Sequence, residues 1–297
     1  MPDALLAAVR RFTDLQADAR GVAATSIAGL STLRADTPGE LQYAISRPLV
    51  ALVVQGRKRV MMGRQSFEFG AGDSMVIAAD VPTISQVTHA DAGQPYYSLV
   101  FELVPAVVES LVAEMDVVRG DHPTPIRVDR TEQDVADVAS RLLRLLERPA
   151  AVPVLAPSLV REMHYWLLAG RHGPTIRHLG MADGHASRIA RAVALIRSDC
   201  ARPLRVEHLA AVAGMSGSTF NQHFRAHTSL SPLQFQKQLR LIEARRLMLS
   251  EGASASRAAH SVGYESVPQF TREYGRLFGA SPVREIKVAK ARVVAVA

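Results

Sequence analysis

The sequence predicts an α+β chain with a β-barrel or β-sandwich in its first half and an all-α second half. Three observations support this fold class. Short apolar or alternating segments, separated by turn-forming residues, follow one another at spacings near ten residues from about Gly21 to Glu102. One helix-turn-helix pattern occurs twice in the last hundred residues, and the basic charge is concentrated in the same part of the chain.

The first half begins with a predicted amphipathic helix, with Leu5, Val9, Phe12 and Leu15 on one face. Residues from about Gly21 to Glu102 are predicted to form strands, among them segments at residues 49–55, 57–62, 65–69, 74–78, 83–88 and 96–102. After Pro105 the apolar period becomes helical, and helices are predicted at residues 106–115, 131–147 and 158–169. The polar, glycine-containing residues 170–184 are the predicted linker to the second half.

The repeated pattern occupies residues 210–232 and 258–282. Each copy has small residues, a turn glycine, a serine suited to cap a helix, two aromatic residues at positions i and i+4, and a closing Ser-Pro. The corresponding positions are Gly214 and Gly263, Ser216 and Ser266, Phe220 and Phe270, Phe224 and Tyr274, and Ser231-Pro232 and Ser281-Pro282. A capping box at Ser231 and Gln234 opens a long predicted helix that joins the copies and ends near Ser250.

The charge distribution points to the same half of the chain. Residues 185–297 hold 17 Lys and Arg against 7 Asp and Glu, whereas residues 1–184 hold 18 against 21, so the net charge of +7 comes from the second half. A basic module joined to a nearly neutral domain is typical of proteins that bind a polyanion. Together with two helix-turn-helix motifs, it predicts binding to double-stranded DNA.

Length and composition limit the alternatives. A chain of 297 residues with 48% hydrophobic content can form two domains with their own cores. The single cysteine, Cys200, cannot form an internal disulfide and fits a reducing cytoplasm. Charged residues interrupt the first twenty residues, and no apolar run approaches the roughly 18 residues of a membrane span, so we expect a cytoplasmic protein with no membrane partner.

Helical periodicity separates the faces of the two predicted recognition helices. The aromatic pairs face the core, and polar side chains cluster on the opposite face. The residues predicted to contact DNA are Ser218, Asn221, Gln222, Arg225, Gln269, Arg272 and Arg276. Arginine pairs with guanine and Asn or Gln with adenine, so Arg272, Asn221 and Gln222 are the predicted base contacts. Arg225 and Arg276 lie further along their helices and suit phosphate equally well.

Residues 186–282 resemble the DNA-binding domain of AraC/XylS-type transcriptional regulators. The segments LSPLQFQKQLRLIEARRLML and VGYESVPQFTREYGRLFGASP carry the resemblance. It implies two recognition helices that occupy adjacent major-groove segments, with Asn221, Gln222, Gln269 and Arg272 at positions where groove contacts are usual. Gly217 and Ser218 are smaller than the residues of many family members, which implies narrower base recognition by the first motif.

The first half resembles the cupin-like amino-terminal domain of one branch of these regulators, through RPLVALVVQGRKRVMMG, FEFGAGDSMVIAADVPTISQV and RIARAVALIRSD with its preceding REMHYWLLAG. The resemblance implies a cupin-like β-barrel with flanking helices, followed by an all-α domain with two helix-turn-helix motifs joined by a long helix. The expected domains are residues 1–172, which sense an effector and dimerise, a linker at 173–185 and a DNA-binding domain at 186–288. A small-molecule effector, a homodimer partner and, for an activator, RNA polymerase are the other implied partners.

Two other functions are alternatives to regulation. Enzymatic cupins need a metal site built from an H-x-H pair, a glutamate and a further histidine, but Met75 stands where that last histidine would be, and His89 is isolated. No nucleophile elbow or phosphate loop is present, so neither enzyme activity nor a metal or cofactor is expected. An architectural DNA-binding protein is the second alternative, and discrete rather than uniform protection of DNA would distinguish regulation from it.

Overall fold

The structure, a computed structural model, describes residues 3–63, 65–115, 125–180 and 184–288. The chain divides into two compact units, Met1–Ser187 and Arg188–Ala297. Part of the predicted linker belongs to the first unit, because a short helix at Gly173–Ile176 places Ile176 fully inside the core of that unit. The domain boundaries at residues 172 and 186 stay a prediction.

The first unit contains two antiparallel sheets. Its described strands are β1 (Val22–Ala24), β2 (Leu30–Ala35), β3 (Gln42–Ser46), β4 (Leu49–Gln55), β5 (Arg57–Met62), β6 (Gln65–Gly70), β7 (Asp73–Ile77), β8 (Val81–His89), β9 (Tyr96–Glu102) and β10 (Ile126–Arg130). One sheet has the order β1-β2-β9-β4-β7-β10 and the other the order β3-β8-β5-β6. Alternating side chains of both sheets pack into one apolar interior, as in the predicted barrel.

Helices cover the outer face of the six-stranded sheet. They are α1 (Asp3–Gln16), α2 (Pro105–Glu114), α3 (Gln133–Leu145), α4 (Val152–Ala169) and α5 (Gly173–Ile176). Their apolar faces pack against alternate residues of the central strands, among them Val50, Leu52, Val76 and Leu99. The contacts between these helices and the sheet form the larger core of the first unit, and the apolar interior between the two sheets is separate from this core.

Three details differ from the sequence prediction. Leu15 was expected on the buried face of the first helix, but its side chain is 76% exposed near the end of α1. Strand β10 was not predicted; it adds an edge to the six-stranded sheet by pairing with β7. Helix α4 begins at Val152, six residues before the predicted start, and contains Pro157. Pro153 lies in the first turn, which needs no backbone donor, whereas Pro157 lies inside the helix and removes one backbone hydrogen bond.

The second unit is helical. Its described helices are α6 (His185–Ser198), α7 (Val206–Val212), α8 (Gly217–Thr228), α9 (Pro232–Ser250), α10 (Ala255–Ser261) and α11 (Val267–Phe278). Helices α7 and α8 form the first helix-turn-helix, and α10 and α11 form the second. Helix α9 joins the motifs and contacts both α8 and α11. Across the described residues, no helix combines the length and the apolar character needed to cross a membrane.

Candidate nucleic-acid interface

The first recognition helix, α8, begins with a serine cap. Ser216 has an extended backbone, and its Oγ accepts a hydrogen bond from the Thr219 backbone amide at 3.3 Å. Phe220 and Phe224 are fully buried, and their ring centroids lie 5.4 Å apart. Phe224 also meets Phe235 of α9 edge-on at 5.5 Å, so the inner face of α8 is held against the connecting helix.

The second recognition helix, α11, is built in the same way. Ser266 caps it by accepting from the Gln269 amide at 3.4 Å. Phe270 and Tyr274 are fully buried, with ring centroids 5.4 Å apart and an interplanar angle of 57°. The corresponding angle in α8 is 58°, so the sequence repeat is also a repeat of packing geometry.

An arginine from a preceding helix fastens each turn. Gly214 and Gly263 both have positive φ angles, +61° and +83°. In the first motif, the guanidinium of Arg188 on α6 donates to the carbonyl oxygens of Ala213, at 2.8 Å, and Gly214. In the second, Arg240 on α9 donates to the Gly263 carbonyl at 3.3 Å and to Ala201 at 3.0 Å.

The structural repeat therefore comprises three helices, α6 to α8 in the first copy and α9 to α11 in the second copy. That α6 and α9 belong to the repeat was not predicted, although their residues in the sequence carry a signal. Arg188 is followed by Ile189, Ala192 and Ile196, and Arg240 by Leu241, Ala244 and Met248, at the same spacings. All six following residues are buried. These shared spacings extend the repeat in the sequence by one helix towards the amino terminus.

All seven residues predicted to contact DNA are exposed on the outer faces of α8 and α11. They are Ser218, Asn221, Gln222, Arg225, Gln269, Arg272 and Arg276. Asn221, Gln222 and Arg225 line a shallow concavity together with Ala226 and Ser231. The structure brings these residues onto two surfaces of one unit, and their roles toward DNA stay a prediction.

The polar atoms of these side chains are largely available. Asn221 donates to the Gly217 carbonyl at 3.0 Å, and Gln269 donates to Glu273 Oε1 at 3.1 Å. Within the described part of the chain, no side-chain hydrogen bond or ion pair engages Gln222, Arg225, Arg272 or Arg276. Exposed guanidinium groups without internal partners can donate to phosphate or guanine at little cost.

One carboxylate lies on α11 between the arginines, and neighbouring donors hold it. Glu273 forms an ion pair with Lys237 of α9 at 2.9 Å and accepts hydrogen bonds from Gln269 and from the Tyr264 hydroxyl, the latter at 2.8 Å. Partial burial works to raise the pKa of Glu273, but these hydrogen bonds outweigh it, so the pKa lies below its usual value. The Lys237 ammonium therefore compensates the negative charge of Glu273.

A family model described as the amino terminus of AraC-type transcriptional regulators matches residues 26–175, and a helix-turn-helix domain model matches residues 209–285. The chain belongs to the AraC-type family of transcriptional regulators. This confirms the family predicted from the sequence, and the described sheets and helices confirm its α+β fold class.

The relatives of this AraC-type chain are transcriptional regulators, not enzymes. It is 28% identical to the transcriptional activator RhaS of Escherichia fergusonii over 172 residues, which are 57% of this chain and 59% of RhaS. It is 28% identical to the regulator GbdR of Pseudomonas aeruginosa over 102 residues, 34% of this chain and 28% of GbdR. The matches thus span less than two thirds of either relative.

Solved structures share the architecture of this AraC-type chain. An apo form of ToxT from Vibrio cholerae superposes with a TM-score of 0.61 at 10% identity, covering 89% of this chain and 98% of ToxT. ToxT with a bound unsaturated fatty acid gives a TM-score of 0.57 at 11% identity, covering 87% and 93%. At such identity the likeness shows the fold alone.

Proposed function

We propose that this AraC-type regulator binds specific sequences of double-stranded DNA, with α8 and α11 in adjacent major-groove segments. The observation that carries the proposal is the exposure of polar and basic side chains on the outer faces of two helices that share one packing geometry. A major groove about 12 Å wide admits one such helix, and two helices on a common scaffold can enter successive turns.

The side chains differ in the contacts that suit them. Arg272 suits the two acceptors of guanine, and Asn221 and Gln222 suit adenine. Ser218 and Gln269 begin their helices and can contact either bases or phosphate. Arg225 and Arg276 lie further along, where phosphate contacts position the protein without selecting a sequence.

We further propose that the first unit senses a small-molecule effector. The supporting observation is a barrel with its own interior, separate from the core beneath the helices. ToxT with a bound fatty acid provides a precedent among proteins of similar fold. Effector binding would shift the population of molecules able to occupy DNA. The expected division is a sensing and dimerising domain at residues 1–172, a linker at 173–185 and a DNA-binding domain at 186–288, in a cytoplasmic protein that contacts RNA polymerase if it activates.

The test of DNA recognition is Arg272→Ala in the full chain. We expect a loss of about 1–3 kcal/mol in binding at the selected site, because a bidentate guanine contact disappears. The control is Arg246→Ala on α9, since Glu243 and Glu251 already pair with that arginine. Fluorescence anisotropy on the selected duplex and on a scrambled duplex measures both. Equal losses on the two duplexes would contradict base contact by Arg272.

A further inference from the structure

The interior between the two sheets of the first unit is apolar apart from a few side chains. Its buried residues come from seven strands and include Ala51, Val53, Val60, Met62, Phe69, Met75, Ile77, Val81, Val87, Tyr96 and Ile126. Leu33, Phe67 and Val100 pack against this group and are only partly buried. This set of side chains is called the barrel interior below.

Lys58 lies on the strand face that points into the barrel interior. Side chains alternate along β5, and Lys58 shares a face with Val60 and Met62, which are 3% and 5% exposed. Arg57 and Arg59 lie on the opposite face, where Arg59 pairs with Glu68 of β6 at 3.3 Å. The alternation therefore separates one lysine from the charged outer surface of its own strand.

The Lys58 ammonium has no carboxylate partner among the described residues, and no ion pair or hydrogen bond involves it. Burial lowers its pKa to about 8. The residue is only partly buried, so solvent reaches part of its side chain. An unpaired cation in apolar surroundings is costly unless binding of an anion compensates it.

A second unused donor belongs to Tyr96, at the start of β9. Its side chain is fully buried in the barrel interior, and its hydroxyl has no hydrogen-bond partner; Ser98, next along the same face, lies nearby without ordinary hydrogen-bond geometry. Gly56, two residues before Lys58, packs directly on Tyr96: a Cβ at Gly56 would lie 3.0 Å from the Tyr96 Cα. The backbone positions that carry the amine and the hydroxyl therefore lie at the same end of the barrel.

We propose that the barrel interior binds a small organic carboxylate with an apolar body, and that Lys58 Nζ and the Tyr96 hydroxyl donate to its two oxygen atoms. The inference rests on the proposed effector function and names the chemical class of the effector. One cation and one neutral donor match the charge and oxygen count of a carboxylate. A phosphate would need more donors, and a sugar would leave its hydroxyls unpaired against Val, Met, Phe and Ile side chains.

The site also predicts a pH dependence. The other titratable or charged side chains on β5 and on the two strands paired with it are Arg57, Arg59, Glu68 and His89, and Asp73 and Tyr96 begin two strands of the other sheet. Within the described structure, Tyr96 alone of these belongs to the barrel interior, and burial raises its pKa, so it stays a neutral donor. A bound carboxylate favours the charged amine. The affinity of the protein for the carboxylate ligand therefore decreases as pH rises above about 8, where Lys58 loses its proton in the absence of ligand.

The test measures ligand binding without DNA. Isothermal titration of the full chain uses alkanoates from hexanoate to dodecanoate, benzoate and phenylacetate, each beside its neutral amide. We expect at least one acid to bind with a stoichiometry of one molecule per chain and about tenfold or more tightly than its amide. The reason is that the carboxylate accepts a charge-assisted hydrogen bond from Lys58. Lys58→Met should abolish this preference, Tyr96→Phe should weaken it, and the outward-facing control Arg59→Met should leave it unchanged.

Folding of the variants is checked by thermal unfolding. Lys58→Met removes an unpaired buried amine, so we expect a melting temperature no lower than that of the parent. A panel in which no acid binds, equal affinity for acid and amide, or an acid preference that survives Lys58→Met would overturn the proposal. Acids that bind at Lys58 without changing operator affinity would leave the site standing and refute its regulatory role, and operator binding without acid binding would refute this inference alone.

Discussion

The two helix-turn-helix motifs have the same apolar packing, but they differ in the polar side chains that hold the recognition helix in place. Both combine a seven-residue helix with a twelve-residue recognition helix, a serine cap and a buried aromatic pair. Only the second recognition helix carries a carboxylate, Glu273, and Tyr274 and Arg245 bind a further carboxylate, Glu285, beyond its end. The apolar pair and the turn thus define the motif, and the carboxylates stiffen one copy of it.

The largest difference is expected at the turn glycines. A Cβ at Gly263 would lie 1.9 Å from the Ala201 carbonyl oxygen, whereas at Gly214 it would lie 2.9 Å from Arg188 Nη2, the end of a flexible side chain. Both glycines have positive φ, which costs L-residues about 1–2 kcal/mol. Gly214→Ala should cost about that amount, and Gly263→Ala a further 1–3 kcal/mol from overpacking. Urea unfolding followed by circular dichroism measures both, and equal costs would contradict the described contacts.

The hydrogen bonds and the ion pair of Glu273 should make the stability of the second helix-turn-helix motif, but not that of the first, sensitive to acid. The folded-state pKa of Glu273 is lowered, so the charged side chain stabilises the folded state. This stabilisation is present above the unfolded-state pKa, near 4.5, and is lost as pH falls through the folded-state pKa. Hydrogen exchange of α11 amides should therefore accelerate relative to α8 amides below about pH 4.5. Glu273→Gln should cost about 1 kcal/mol at pH 7 and remove this difference.

The matched control for that variant is Glu265→Gln, because Glu265 is exposed in the turn before α11. It should leave the exchange of α11 unchanged at both pH values. If α8 and α11 respond equally to acid, the network does not distinguish the two copies.

The smallest effect is expected at the ends of the recognition helices. The residue that follows α8 is Ser229, with a φ of 62°, a left-handed backbone that a serine tolerates poorly, whereas the residue that follows α11 is Gly279, with a φ of 77°. Ser229→Gly should stabilise the chain by about 0.5–1 kcal/mol and Gly279→Ser should destabilise it similarly. Guanidinium unfolding resolves both, and a destabilised Ser229→Gly would contradict strain at that cap.

The sequence predicted best where local and tertiary signals agree. The strands from Leu49 to Glu102 and the capping box at Ser231 were predicted because alternation, turn glycines and capping residues all indicated the same structure. Strand β10 was missed because five residues between helices carry too little periodicity, and its pairing with β7 depends on tertiary contact. Leu15 was misplaced because a helical stripe continued beyond the sheet it packs against.

The candidate sites show the same limit. Helical periodicity predicted the outward faces of α8 and α11 because it needs only residue spacing. It could not predict that Arg188 and Arg240 bind the turn carbonyls, since those contacts join residues about 25 positions apart. Lys58 was overlooked because one lysine between two arginines resembles a solvated strand, and only strand pairing reveals which face is internal.

The most direct test of the central claim, that two copies of one motif present their exposed faces to one DNA duplex, is selection from a randomised duplex library. The full chain should select two clusters of preferred bases about one helical turn, or 10 base pairs, apart. Asn221→Ala with Gln222→Ala should relax one cluster and Arg272→Ala the other. A single cluster, or loss of preference at the same positions in both variants, would contradict the claim.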